Sequence, residues 1–278
     1  MISELIFLNG RLCPASAAVM PLSCIEYQYG FGVYETLRAR ENRVLFAGAH
    51  AQRLLVSASA IGLEHDFSPA QIVAHIRELA AQISAPAFNL KMLLIGGASP
   101  GAAQFFIIPL APLFPDKKLY RDGAAAITYR YERLLPKAKT LNMLGSFLAY
   151  RQARLMGGYD ALLVDRHGYI TEGTRTNFFA VKNKTIYEAP SEKILDGVTR
   201  DNLLRVARAN GFTLAVADIA PSDLPNYDGA FLTSTSSKIM PLKKIDAFEF
   251  SKIAPAITEL MTAFDRFLNT QEERGVIF

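Results

Sequence analysis

Over residues 47–63 the apolar side chains Leu54, Leu55, Ala58 and Ile61 recur at the three- and four-residue spacing that turns one face of an α-helix into a core. Ser68-Pro69, a capping residue followed by a proline in the first turn, opens a second helix that runs through Ile72, Ile76, Leu79 and Ile83. Ahead of both, the chain reads as a strand turning at Asn9-Gly10, a hairpin signal. Two apolar runs of strand length, 90–95 and 104–108, follow and are joined by a loop rich in Gly and Ala. Residues 109–115 then place prolines at 109, 112 and 115, which disfavours a helix or a central strand and predicts a stiff connector.

Beyond the connector the periodicity alternates. Strands are expected over 124–131, 160–165, 169–171, 177–181, 185–187, 230–233 and 239–245, with a turn at Arg166-His167-Gly168. Helices are expected over 144–156, over 199–209 with a stop at Asn210-Gly211, and near 255–268. Interleaved strands and helices predict a mixed α/β (α+β) fold. The length of 278 residues suits two domains: a small N-terminal α/β domain over 1–114, a linker over 115–121 and a larger C-terminal domain over 122–278.

Composition narrows the class without naming a function. Half the residues are hydrophobic and a fifth are charged, a globular balance rather than a disordered one. The formal charge of +4 is spread along the chain and too mild to indicate a nucleic-acid partner. Cys13 and Cys24 cannot build a disulfide framework or a four-thiolate zinc site, so a reduced, cytoplasmic protein is expected. The longest uncharged apolar run, 105–114, is about half of a membrane span and contains two prolines. The opening residues carry Glu4 before a short apolar patch and no basic leader, so no signal peptide is expected.

Several local patterns carry chemistry. Gly97-Ala98-Ser99-Pro100-Gly101 fits the G-x-S-x-G elbow of hydrolases, but the residues after it read as a strand, where that motif needs a helix. Pro100 also removes a backbone N–H that an oxyanion hole would use, so a loop between strands is the better reading. Gly30-Phe31-Gly32 lacks the third glycine of a dinucleotide fingerprint, and His50, His65, His75 and His167 form no metal-ligand pair beside a carboxylate. Lys139 borders the uncharged stretch 140–150, where an amine can lose solvation and become nucleophilic, although a surface charge is the ordinary role of a lysine. Residues Leu195-Asp196-Gly197-Val198-Thr199 form a turn entering a helix, with Thr199 as N-cap and the first N–H groups available to an anion; a plain capped helix explains them equally well. The five hydroxyls of Thr233-Ser234-Thr235-Ser236-Ser237 suit a phosphate or an ordinary turn.

Taken in order, these segments point further. Tyr29-Gly-Phe-Gly-Val-Tyr-Glu35, His50-Ala-Gln-Arg53 and Ala138-Lys139-Thr-Leu-Asn142 come first. Gly158-Tyr-Asp-Ala-Leu with Thr171-Glu172-Gly173 and Asn177, then Leu195 to Arg200, then Thr233 to Ser237 with Pro241, complete the set. The sequence resembles the fold type IV (class IV) pyridoxal-phosphate aminotransferases, the family of branched-chain and D-amino acid aminotransferases and aminodeoxychorismate lyase. The resemblance implies the two-domain architecture of that family, with the larger domain binding the cofactor, pyridoxal 5'-phosphate.

It also implies roles. Lys139 would hold the cofactor as a Schiff base and move the proton at the substrate carbon, and Glu172 would face the pyridine nitrogen. Arg53, Gly197, Val198, Thr199, Ser234 and Thr235 would hold the phosphate, and Leu195 would lie against the ring. Tyr29, Tyr34 and Arg38 fall where the family places substrate-side groups. The D-amino acid enzymes carry an Arg-x-His pair after the strand equivalent to 90–95, and here Gly96-Gly97-Ala98-Ser99 stands in its place. The expected activity is transamination between a branched-chain or D-amino acid and a 2-oxo acid. The alternatives are lyase action on aminodeoxychorismate, giving 4-aminobenzoate and pyruvate, and a non-catalytic binding protein of the same fold. A homodimer with its site at the domain and subunit interface is implied, with no nucleic acid, membrane or metal.

Overall fold

The computed structural model describes residues 3–40, 43–112 and 114–273. Two compact units emerge. The first gathers the N-terminal part of the chain to Leu113 together with Lys137–Asn142; the second holds Phe114–Pro136 and Met143–Thr270.

The first unit contains β1 (Leu5–Leu8), β2 (Arg11–Pro14), α1 (Ile25–Gln28), β3 (Gly32–Arg40), β4 (Arg43–Val44), α2 (Ala47–Ala60), α3 (Pro69–Ala80), β5 (Ala87–Ile95) and β6 (Gln104–Leu110). Its six strands form an antiparallel sheet in the order β2-β1-β6-β5-β3-β4. Helices α2 and α3 bury Leu54, Ala58, Ile72, Ile76 and Leu79 against Leu37, Phe88, Leu90, Met92, Leu94 and Phe105 of that sheet. Both helices follow from the spacing read in the sequence. Helix α3 begins with a full capping box between Ser68 and Gln71, and α2 stops at Ala60 because Gly62 turns the chain at a φ of +66°.

Two local readings change. Strand β6 runs through Pro109 to Leu110, with Pro109 opposite Leu90, where a connector was expected. On its other side the β1 ladder reaches only Phe106 and Ile107. Pro109 therefore sits where β6 has a partner on one side alone, an edge-like position that tolerates a missing N–H. Within the expected linker, Lys117–Asp122 forms helix α4, capped by the Asp116 carboxylate accepting the Lys118 N–H at 2.8 Å. Leu113 lies outside the described residues.

The second unit continues with β7 (Ala124–Arg130), α5 (Leu144–Leu155), β8 (Asp160–Val164), β9 (Ile170–Gly173), β10 (Asn177–Lys182), β11 (Thr185–Glu188), α6 (Val198–Ala209), β12 (Thr213–Val216), β13 (Gly229–Ser234), β14 (Lys238–Ile245), β15 (Phe248–Glu249) and α7 (Pro255–Glu273). Its sheet runs β12-β11-β10-β13-β14-β7-β8-β9, and β9 pairs again with β10. Six strands, β10-β13-β14-β7-β8-β9, thus close into a ring. One face of the ring fills with Ala124, Ala126, Leu162, Phe178, Ala230, Leu232, Met240 and Leu242, small residues alternating with large ones. The closing contact is a single pair, Glu172 opposite Asn177.

Candidate functional site

Strand β3 alternates strictly. Val33, Glu35, Leu37 and Ala39 are fully buried, while Tyr34, Thr36 and Arg38 point to the other face and are half-buried. The period of two therefore drives a carboxylate, Glu35, into the helix-facing side of the sheet. Helix α2 meets it there with His50 and Arg53, three residues apart on one stripe. Arg53 donates through Nε to Glu35 Oε1 at 2.5 Å and through Nη2 to Oε2 at 2.8 Å, and His50 Nδ1 lies 2.8 Å from Oε2. Burial by itself would raise the Glu35 pKa, but the charge of Arg53 and the hydrogen bonds override it and hold the carboxyl far below the usual range. Burial pulls His50 below the ordinary histidine value, against the attraction of Glu35 and assisted by the positive charges of Arg53 and Lys139. A neutral imidazole carrying its proton on Nδ1 satisfies the contact.

The segment 137–142 lies along β3 in the same unit. Tyr34 N–H donates to the Lys139 carbonyl at 2.9 Å, Leu141 N–H to the Gly32 carbonyl at 2.8 Å, and Thr140 forms a bridge with Val33. Gly32 permits this approach, since a Cβ there would come within 2.8 Å of both the Leu141 side chain and the Leu94 carbonyl. Lys139 N–H donates to the Ser57 hydroxyl on α2 at 3.1 Å. The Lys139 side chain is half-buried, its Nζ lies 4.5 Å from the Tyr34 ring centroid, and among the described residues it has no hydrogen bond or ion pair. Tyr34, Arg53 and Lys139 thus come together around one strand and one helix. Arg38 lies four residues further along β3 on the Tyr34 face, and Tyr29 stands 79% exposed just after α1.

In the second unit the carboxylate of Glu172, at the ring closure, is held at both oxygens. Arg133 Nη1 donates to Oε1 at 2.6 Å, and Leu195 N–H donates to Oε2 at 3.2 Å. Asn177, the cross-strand partner of Glu172, donates through Nδ2 to the Leu195 carbonyl at 2.8 Å. Leu195 is therefore fixed from both sides of the pair, just before α6.

The N-cap of α6 is Gly197, and Thr199 falls inside the first turn rather than at the cap expected from the sequence. A threonine caps when its hydroxyl reaches back to the second or third helical N–H, and the helix here begins two residues too early for that. No side chain caps α6, so Val198 and Thr199 present their N–H groups at an open helix start. Opposite Asn177 on β13 sits Thr233, whose buried hydroxyl has no hydrogen-bond partner among the described residues. In the following turn the Ser234 hydroxyl lies 2.7 Å from that of Ser237 and accepts the Ser237 N–H, while Thr235 is half-buried with no side-chain partner among the described residues.

Sequence reasoning passed over Arg133, named Glu35, His50 and Asn177 only as members of motifs without a role of their own, and counted Thr233 among five hydroxyls suited to a phosphate or a plain turn. Glu35 left a readable trace, a carboxylate on the apolar parity of a strand. Arg133 left none: it lies in an irregular stretch and reaches Glu172 from 39 residues away.

Comparison with known proteins gives the family. Residues 32–245 match the family model described as amino-transferase class IV. A D-alanine aminotransferase of Bacillus licheniformis is 29% identical over 259 residues, 90% of this chain and 91% of that protein. A putative branched-chain-amino-acid aminotransferase of Methanocaldococcus jannaschii is 30% identical over 257 residues, covering 87% and 88%. Among solved structures, a T.th. branched-chain amino acid aminotransferase with pyridoxamine 5'-phosphate superposes with a TM-score of 0.87 at 26% identity, covering 95% of this chain and 94% of that one.

Proposed function

This chain belongs to the class IV amino-transferase family, and on that premise we propose that Lys139 is the amine through which pyridoxal 5'-phosphate is held while an amino group passes between an amino acid and a 2-oxo acid. The observation that carries the reading is the Lys139 side chain itself, half-buried over Tyr34 and engaged by no acid among the described residues. An amine used for covalent chemistry has to shed its proton, and an ion pair would oppose that.

The residues fit the group. A dianionic phosphate needs several N–H and O–H donors, and the second unit holds an uncapped helix start and a buried hydroxyl on Thr233 that no atom of the described residues satisfies. Arg53, Gly197, Val198, Thr199, Ser234 and Thr235 would hold the phosphate, Leu195 would lie against the ring, and Glu172 would face the ring nitrogen. When bound, the group withdraws electrons from the substrate α-carbon and so makes its proton removable. Lys139 Nζ would take and return the proton at the substrate α-carbon. Glu172, kept in place by Arg133 and the Leu195 N–H, would keep the ring nitrogen protonated. Tyr29, Tyr34 and Arg38 face the substrate.

The substrates are a branched-chain or D-configured amino acid and a 2-oxo acid, a reading supported by the names of the relatives. It is tested with amino donors of both configurations against 2-oxoglutarate or pyruvate, with aminodeoxychorismate alone as the contrasting arm. Lys139→Ala is expected to lose the visible absorbance of the bound cofactor, its trapping by borohydride, and more than about ten-thousandfold of the activity. Wild-type protein that stays colourless with added pyridoxal phosphate would sink the proposal.

A homodimer is part of the same reading. Leu144, Phe147 and Leu155 share one side of α5 and are 66%, 56% and 77% exposed, an apolar stripe suited to a second copy of the chain. Light scattering should return about twice the monomer mass of 30.6 kDa. No helix among the described residues is long and apolar enough to cross a membrane. Cys13 and Cys24 are both free thiols, which fits a reducing, cytoplasmic location.

A further inference from the structure

Asp160 is 2% exposed at the start of β8, and no cation forms an ion pair with it among the described residues. Burying a carboxylate without a counter-ion is costly unless its oxygens are saturated by donors. Here they are. Oδ1 accepts the Ala161 N–H at 2.9 Å, the Thr174 hydroxyl at 2.5 Å and the Thr174 N–H at 3.3 Å, and Oδ2 accepts the Thr176 hydroxyl at 2.9 Å. Three of these four donors lie in one short turn, residues 173–176, which connects Glu172 to Asn177.

Elsewhere the turn is held by the β8–β9 pair Leu162–Gly173 and by the Arg175 guanidinium, 4.0 Å from the Tyr150 ring centroid. Strands β9 and β10 share only the pair Glu172–Asn177, and the turn adds one backbone hydrogen bond across its mouth, from Gly173 N–H to the Thr176 carbonyl at 2.8 Å. Thr174 N–H also reaches the Ala161 carbonyl at 3.1 Å, so the loop leans on the same two residues of β8. At Gly173 a Cβ would collide with the Thr176 hydroxyl and come within 2.7 Å of Asp160 Oδ2, so the carboxylate and both threonines are packed to contact. A plain hairpin could be held by apolar packing at lower cost. What the carboxylate adds is a fixed direction for the two residues that flank the turn.

We propose that Asp160 is a positioning residue: through Thr174 and Thr176 it sets the aim of the Glu172 carboxylate and the place of Asn177, and through them the place of Leu195. This rests on the reading that Glu172 faces the ring nitrogen of the cofactor. Glu172 is reached from one side by the Leu195 N–H, and Leu195 is held in turn by Asn177, so a tilt of the turn moves all three together. A displacement of about 1 Å at a catalytic group costs on the order of a hundredfold in rate.

The test uses the holoenzyme and four variants, Asp160→Asn, Thr176→Val, Thr176→Ser and Glu172→Gln. Three readouts are taken: the pH dependence of the bound-cofactor absorbance, the affinity of the apoprotein for pyridoxamine 5'-phosphate by fluorescence titration, and kcat separately from KM. Glu172→Gln is expected to shift the absorbance titration and lower kcat. Asp160→Asn and Thr176→Val should shift it in the same direction and lower kcat by about ten- to a hundredfold, with KM changed less than about threefold. Thr176→Ser, which keeps the hydroxyl, should return to within about twofold of wild type. If Asp160→Asn does not fold, the Val and Ser variants of Thr176 carry the comparison, since they differ chiefly in the hydroxyl. Lowered melting temperatures with wild-type absorbance titration, affinity and kcat would reduce Asp160 to a structural residue and overturn the inference. An unshifted Glu172→Gln would instead overturn the reading of Glu172 and the inference with it.

Discussion

Glu35 and Asp160 are both carboxylates buried in a sheet, one in each unit, and the chain accommodates them by opposite means. Glu35 is given a guanidinium in a two-pronged contact and an imidazole, and the positive charge holds it ionised far below its usual range in spite of burial. Asp160 receives two hydroxyls and two backbone N–H groups but, among the described residues, no salt-bridge partner, and burial pushes its pKa up. The first arrangement keeps a cation, Arg53, oriented within a buried cluster. The second orients a turn through neutral donors, with the Arg175 charge of that turn too weakly felt to offset burial. The difference teaches that an acid's burial says little by itself; the donors around it decide whether it acts as a charge or as a hydrogen-bond hub.

The largest expected effect breaks the charged cluster. Glu35→Gln leaves Arg53 largely buried without its carboxylate and should cost about 3–5 kcal/mol in urea unfolding. A loss below about 1 kcal/mol would mean that the cluster is electrostatically idle. Asp160→Asn replaces an acceptor of four hydrogen bonds by a group that accepts at one atom only, and about 1–3 kcal/mol is expected from the same measurement.

The two penalties should also depend on pH in opposite senses. The depressed pKa of Glu35 gives stability that is present above its unfolded value and lost as pH falls toward the folded one, so the Glu35→Gln penalty shrinks in acid. The raised pKa of Asp160 makes the wild type lose stability as pH rises from the unfolded value toward the folded one, so the Asp160→Asn penalty grows in acid. Urea midpoints for the three proteins between about pH 2 and 7 check this, and parallel curves would erase the contrast.

The smallest effect concerns a donor with no acceptor. Thr233→Val removes a buried hydroxyl that no atom of the described residues satisfies, and the apoprotein should gain or lose less than about 1 kcal/mol. A loss of about 2 kcal/mol or more would show that the hydroxyl is satisfied after all, by a buried water.

Much of this was legible in the letters because it depends on short-range period and turn chemistry. The α3 start at Ser68-Pro69 and the buried stripe of α2 lie within a few residues of their cause. Lys139, Glu172 and the 195–199 turn were readable as an ordered set of motifs, which fixes residue types but not neighbours. Pro109 was misread because its tolerance depends on how far β1 extends, a fact held some hundred residues away. Thr199 was misplaced by two positions because several polar residues compete to cap, and the entry angle of the turn chooses among them.

The sequence by itself determined the elements, the family and the inventory of chemically able side chains, since backbone preference and hydrophobic period act locally. Only the tertiary structure decided that Arg133 would meet Glu172, that His50 and Arg53 would converge on Glu35, and that Asp160 would grip both threonines of a separate turn. Such pairings join residues up to 39 positions apart, and they are selected by which donors burial leaves without water, a quantity that exists only once the chain is packed.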